Sequence, residues 1–150
     1  MKQKIQKVIQ YLSKELLLFL IGGFIYVGIE ILARGFSHWS MFILGGLCFI
    51  LIGLINELFP WDMLFQYQCL LGAGIITSLE FITGCIVNIY LGWNVWDYSD
   101  RMFNLLGQIC LQNCIYWIFL SGIAIVMDDV IRWKLFKEER PRYKFKHKRG

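Results

Sequence analysis

The sequence predicts an all-α, polytopic membrane protein with four transmembrane helices, an N-terminal amphipathic helix and a basic C-terminal tail. Three observations carry that expectation. Hydrophobic residues make up 57% of the 150 and charged residues only 17%, far from the balance of a soluble domain of this length. Four apolar runs, at residues 16–33, 41–59, 67–92 and 103–127, are each near the ~20 residues that a spanning helix requires. Lys and Arg gather at the two ends of the chain, outside those runs.

The organisation expected along the chain is an amphipathic basic segment at 1–15, a transmembrane domain at 16–131 and a basic tail at 132–150. In the first segment Ile5, Val8, Ile9, Leu12 and Leu16 recur at helical spacing, with Lys2, Lys4, Lys7 and Lys14 largely on other faces, the pattern of an interfacial helix. The run that follows resembles a signal peptide in its basic lead. It is long, no small-residue cleavage site closes it and three further spans follow, so it is read as a retained first helix.

Charge is segregated. Residues 1–15 carry +3, residues 132–150 carry +7 and the stretch between them −6, for a total of +4. Basic flanks at both ends place both termini in the cytoplasm, and an even number of spans agrees with this. The inner loop around residues 60–66 has no basic residue to reinforce the orientation. Basic ends next to an acidic membrane core suit contact with an anionic leaflet, at ~1 kcal/mol per well-placed cation. Nucleic acid is not expected as a partner, because the basic tail at 140–149 has no folded platform beside it.

Within the spans, polar and small residues recur at four-residue steps, which stacks them on one helix face. The third span carries Gly72, Ile76, Glu80, Gly84, Asn88 and Gly92 in one row; the fourth carries Asn104, Gln108, Gln112 and Tyr116; the first carries Gly22, Tyr26, Glu30 and Arg34. These rows are expected to face one another. Small residues permit close backbone approach and amides bond across helices, so packing alone accounts for much of the pattern. Glu80 asks for more. It lies near the middle of its run, where a carboxyl costs ~2.5–3.5 kcal/mol on insertion scales and commonly marks an ion, proton or substrate path. Glu80, Glu30, Asn88, Asn104 and Gln108 are therefore the candidate binding residues.

After the third span comes a dense aromatic and acidic loop, 92–101. Trp93, Trp96 and Tyr98 suit an interfacial aromatic belt, and Asp97, Ser99 or Asp100 can cap a helix opening near Met102. Cys48, Cys69, Cys85, Cys110 and Cys114 lie in or at the ends of spans with no CxxC spacing, and neither His38 nor His147 has a second ligand nearby, so no metal or cofactor is expected. Asp128 and Asp129 with Arg132 read as a surface ion pair.

The string Glu80-Phe81-Ile82-Thr83-Gly84, continued by Trp96-Asp97-Tyr98-Ser99 and Asn104-Leu105-Leu106-Gly107, resembles the family that unites bacterial CmpB-type ABC-transporter permeases with animal transmembrane protein 229. Glu30, Trp39-Ser40, Phe42 and Gly45 are similar to that family's earlier Glu and Trp-Ser element, and the likeness covers most of residues 20–127. One departure is that Arg101-Met102 stands where a proline is often found, which bears on the shape of that loop. The resemblance implies a small permease-like component. No Walker-type loop is present, so ATP hydrolysis requires a separate nucleotide-binding subunit, and four spans make a transport path only with a homo-oligomer or another partner. A weak internal echo of Glu30, Trp39 and Gly45 in Glu80, Trp96 and Gly107 is compatible with two like-oriented helix pairs. The reading is a transport component with a polar site around Glu80 for a cation, proton or polar solute. The alternatives are a membrane enzyme acting on lipid, with Glu80 or Asp97 as base, and a noncatalytic assembly subunit.

Overall fold

The computed structural model describes residues 1–146; His147, and Lys148 and Arg149, which are counted in the tail charge, lie outside them. The described residues are all helix and loop, in the order α1 (Lys2–Arg34), α2 (Trp39–Gly53), α3 (Ile55–Leu58), α4 (Phe65–Gly84), a π-helical continuation (Cys85–Tyr90) and α5 (Leu111–Phe136). Four stretches are long and apolar enough to cross a membrane: Lys2–Arg34, Trp39–Leu58, Phe65–Tyr90 and Leu111–Phe136. The chain forms two compact units, Met1–Ile50 and Leu51–Gly150.

In the first unit α1 runs unbroken from the basic N-terminus through the first span. Its interfacial-type residues Ile5, Val8, Ile9, Leu12 and Leu16 are all exposed, as are Phe24 and Leu32 further on, an apolar surface suited to acyl chains. The helix stops at Gly35, whose φ of 81° lets its N–H turn back to Ile31 O at 2.8 Å. Two glycine pairs join α1 to α2. A Cβ on Gly22 would collide with Phe49, one on Gly45 with Tyr26, one on Gly23 with Phe42 and one on Gly46 with Phe19. The aromatic side chains thus lie directly over the glycine backbones, and Phe42 also meets Phe19 and Phe24 edge to face, at centroid distances of 5.9 and 5.0 Å.

In the second unit α4 and α5 pack antiparallel. Ser121 Oγ donates to Cys69 O at 2.7 Å, a Cβ on Gly72 would meet Ser121, and Thr77 Oγ1 approaches Cys114 Sγ at 3.7 Å. This register puts the first turn of α5 level with Glu80. The expectation of a fourth span at 103–127 is corrected: the helix opens at Leu111 and continues to Phe136. Residues 103–110 cannot be helical because Phe103 and Leu106 have φ of 52° and Gly107 of 69°. The last turns of α4 and its π continuation therefore have no α5 beside them, and the segment 91–110 folds back to cover them.

At the other end of the pair the chain after α5 is not a free tail. Lys137 caps α5 in the left-handed conformation, and residues 139–145 cross the start of α4. Phe65 N–H donates to Lys144 O at 2.8 Å, satisfying an amide at the α4 N-terminus, and Gln66 Nε2 donates to Phe145 O at 3.0 Å. Tyr143 stacks edge-on to Trp61 and Phe65, while Lys144 pairs with Asp62 and Arg142 with Glu139.

Replacing Gly45 with valine should lower stability by ~1–3 kcal/mol, the usual cost of overpacking, because the added carbons meet Tyr26. Gly28, with open space at its Cβ position, should accept alanine without loss. Thermal unfolding of the two variants in detergent, followed by size-exclusion fluorescence, checks the contrast.

Candidate functional site

The row foreseen on the third span is the buried face of α4 except at its end: Gly72, Ile76, Glu80, Gly84 and, in the π turn, Asn88 are all buried, whereas Gly92 lies past the helix with φ of 67° and is exposed. Glu80 is 1% exposed. Its Oε2 accepts the indole N–H of Trp117 at 2.8 Å and its Oε1 accepts the hydroxyl of Tyr98 at 3.2 Å. The two donors come from different places, Trp117 from α5 and Tyr98 from the returning loop. Each is an aromatic ring that closes water out while its polar tip serves the carboxyl.

The loop is held by a chain of polar bonds to the last turns of α4. Asn88 Nδ2 donates to Gln108 Oε1 at 2.8 Å, and Asn88 Oδ1 accepts the Val95 N–H at 2.6 Å. Trp96 Nε1 donates to Gln108 O at 2.9 Å, and Gln108 Nε2 to Leu106 O at 2.9 Å. Gly84 sits against this layer. A Cβ there would come within 2.5 Å of Gln108 Oε1 and 3.0 Å of the Trp96 ring, so the absence of a side chain is what allows the loop to dock.

The motif residues outside this layer shape the loop itself. Asp97 Oδ1 accepts the Ser99 hydroxyl at 2.5 Å and the Ser99 N–H at 2.9 Å, closing a tight turn. Tyr98 N–H donates to Gly107 O at 2.8 Å, and a Cβ on Gly107 would lie 2.5 Å from Ser99 Oγ and 2.7 Å from Asp97 Oδ1. Asn104 Nδ2 donates to Arg101 O at 2.8 Å and to Ser99 O at 3.3 Å, while its Oδ1 accepts the Gly107 N–H at 3.1 Å. Arg101, in the stretch where a proline is often found, uses its own N–H to reach Tyr98 O at 2.8 Å and its guanidinium to reach Gln112 Oε1 at 3.1 Å.

Of the residues proposed from the sequence, Asn88 and Gln108 are in direct contact, and Glu80 meets the loop motif through Tyr98. Asn104 is an organiser of the loop and is exposed. Glu30 belongs to the first unit, where its Oε2 accepts from Arg34 Nη2 and Ser37 Oγ, each at 3.0 Å. The helical row Asn104, Gln108, Gln112 and Tyr116 is corrected, because the first two lie in the loop and the last two bond each other at 2.8 Å on an exposed part of α5. The face that α5 buries is instead Trp117, Ser121, Gly122, Ile125, Asp128, Asp129 and Arg132. Nor do Asp97, Ser99 or Asp100 cap a helix near Met102. Cys110 precedes α5, without a side-chain capping bond. With its carboxyl committed to the turn, Asp97 is poorly placed to act as a base.

A family model described as "Putative ABC-transporter type IV", of the CmpB type, matches residues 17–143. The chain belongs to that family. No curated protein and no solved structure matches it. Together with the four membrane-length helices, membership makes this ABC-transporter type IV chain a multi-pass, transport-like membrane protein.

A second polar cluster lies at the far end of α4 and α5, and it overturns the reading of Asp128 and Arg132 as a surface pair. Asp128 is 0% and Arg132 2% exposed, with Arg132 Nε donating to Asp128 Oδ2 at 2.6 Å, one helical turn apart. Gly53 makes the room, since a Cβ there would run into the Asp128 carboxyl. Next to it Asp129 Oδ2 accepts from Asn56 Nδ2 at 2.6 Å and from the Tyr143 hydroxyl at 2.7 Å. Burial and the adjacent Asp129 carboxylate both hold the Tyr143 phenol in its protonated form, above the ordinary tyrosine range. Sequence reasoning missed Trp117, Asn56 and Tyr143. Trp117 had a usable signal, because a tryptophan in a span facing a glutamate-bearing helix brings a donor that apolar packing does not need.

Two outcomes follow. Trp117→Phe keeps the ring but removes a donor from a buried carboxyl, which should cost ~1–3 kcal/mol of thermal stability in detergent, whereas Tyr116→Phe on the exposed face should cost little. The Ser99 hydroxyl, and after it the Ser99 N–H, hold the Asp97 carboxyl below the usual aspartate range. A depressed folded value means the turn's ionic support is complete above ~pH 4 and is lost as pH falls through the lower folded value. Amide exchange at Ser99 and Gly107 should therefore be unaffected by protonation of Asp97 between pH 5 and 8 and speed up in acid; Asp97→Asn, which retains the acceptor, should abolish the acid step.

Proposed function

We propose that this chain is the membrane component of a transport system in which Glu80 binds a cation, a proton or a polar solute that carries donors. The observation that supports it best is the origin of the Tyr98 hydroxyl. One donor over the carboxyl is presented by a non-helical segment, docked through Asn88, Gln108 and Trp96. Displacing that segment uncovers Glu80 Oε1 without moving a span, while Trp117 continues to serve Oε2. In the uncovered state Asn88 and Gln108, released from each other, become the next polar groups along the path toward the loop side. A carboxyl at this depth that exchanges Tyr98 for a ligand is a binding site with its own cover.

On this reading both termini face the cytoplasm of a bacterial cell. Four crossings return the chain to its starting side, and Lys2, Lys4, Lys7 and Lys14 at one end match the basic stretch after α5 at the other. Those ends are drawn to anionic lipids. Four helices form the path as a homo-oligomer or beside a second membrane subunit, and a separate nucleotide-binding subunit supplies ATP hydrolysis.

Purified protein reconstituted in liposomes, assayed for proton or cation flux under an imposed potential, tests the assignment. Glu80→Gln, which preserves shape and most hydrogen bonds, should reduce flux at least ~10-fold, and Tyr98→Phe should raise the basal leak by loosening the cover. Equal flux in wild type and Glu80→Gln, or none in either, defeats the proposal.

A further inference from the structure

We infer that the groove between α4 and α5 binds one anionic phospholipid, with an acyl chain in its apolar slot and the headgroup at Lys146. The groove has a volume of about 700 Å³ and runs from Phe65, Met127 and Phe145 at one end to Leu70, Ile118 and Phe119 at the other. Among the described residues that line it, Gln66 has the one strongly polar side chain, and its amide N–H already donates to Phe145 O at 3.0 Å. A slot so poor in free donors and acceptors selects hydrocarbon.

Its position says what kind of hydrocarbon. Leu70, Phe119 and Ile123 on its walls are exposed, so the slot opens outward to the acyl region. Its Phe65 end lies where the Phe65–Tyr90 span begins, at headgroup depth, and from there the groove extends into the span. An occupant aligned with it has an apolar part among the spans and its other end at the interface, which is the build of a lipid. A helix from a second copy of the chain is a poorer occupant. The Phe65 and Phe145 rings, 5.5 Å apart, close the groove at this end, where a helix would have to run on and an acyl chain gives way to its headgroup.

The sign of the headgroup follows from the segment that crosses there. Residues 139–146 carry four cations and one carboxylate. Arg142 pairs with Glu139, Lys144 with Asp62, and Arg140 lies over the ring of Trp133. Lys146 is left. It directly follows the lining residue Phe145, is exposed, and meets no carboxylate among the described residues. An ammonium at the mouth of an apolar slot is complementary to a lipid phosphate, and an anionic headgroup offers it a counter-charge that a zwitterionic one cancels within itself. No wall residue belongs to the layer around Glu80, so this site stands apart from the proposed transport path.

Native mass spectrometry of the full-length protein in non-ionic detergent, loaded with equal amounts of dioleoyl phosphatidylglycerol and dioleoyl phosphatidylcholine, tests this, because the two lipids share their chains and differ in headgroup charge. One phosphatidylglycerol per chain should be retained about fivefold or more over phosphatidylcholine. Ile123→Trp, which fills the slot from an exposed wall position, should reduce retention of both lipids about fivefold or more. Lys146→Glu, also at an exposed position, should lower the preference for phosphatidylglycerol about threefold or more and leave phosphatidylcholine retention unchanged. Lys4→Glu, at the other basic end, and Glu80→Gln should behave as wild type. Equal retention of the two lipids by wild type overturns the inference. So does wild-type behaviour of Ile123→Trp or Lys146→Glu, loss of the preference in Lys4→Glu or Glu80→Gln, or a dimer that forms in place of the lipid adduct.

Discussion

A carboxyl group in the apolar middle of a helix must be solvated by the protein itself, and much of the second unit is arranged around that requirement at Glu80. Its insertion penalty, ~2.5–3.5 kcal/mol at a bilayer centre, is of the same order as two hydrogen bonds to a charged group at ~1.5–3 kcal/mol each. Trp117 and Tyr98 supply two such bonds. Tyr98 could not do so if α5 were a full-length partner of α4 beginning at residue 103. Because the helix opens at Leu111, level with Glu80, the chain between the spans has the freedom to bring Tyr98 down to the carboxyl.

That freedom brings its own demand, because a non-helical backbone beside a membrane helix has amides and carbonyls to satisfy. The aromatic and polar loop motif answers it. Trp96, Asp97, Asn104 and Gln108 each bond a backbone group of the loop, the Ser99 hydroxyl bonds Asp97, and Asn88 reaches into the loop from the π turn of α4. The left-handed conformations of Phe103 and Leu106 are costly for non-glycine residues and persist because the surrounding bonds over-determine them. A motif that reads as a belt of interfacial aromatics is therefore a folded cap that carries the Tyr98 hydroxyl to Glu80.

The two ends of the α4 and α5 pair use contrasting chemistry. At the loop end the Glu80 carboxyl is met by the neutral donors of Trp117 and Tyr98. At the other end Asp128 and Arg132 form a buried ion pair beside Gly53, whose desolvation offsets much of its Coulomb attraction. The chain after α5 then folds across the start of α4, tying Tyr143 to Asp129 and Lys144 to Asp62, and turns charges that would extend a tail into struts. In the first unit, by contrast, the seam is of glycine and aromatic rings, which suits a helix pair whose outer surface is apolar.

By itself the sequence determined the number of spans, the helical class and the buried row on α4. Run length and four-residue spacing are local properties, and a bilayer or a neighbouring helix reads them directly. The same spacing misled where Asn104, Gln108, Gln112 and Tyr116 imitate a helix face, because nothing local reveals that Phe103, Leu106 and Gly107 turn left-handed. Only the tertiary structure decided that Trp117 serves Glu80 across 37 positions, that Asn56 serves Asp129 across 73, and that Gly53 opens the space in which Asp128 and Arg132 are buried. Such partnerships depend on the antiparallel register of packed helices and on where α5 begins, and a donor's identity in the chain carries no record of the acceptor it will meet.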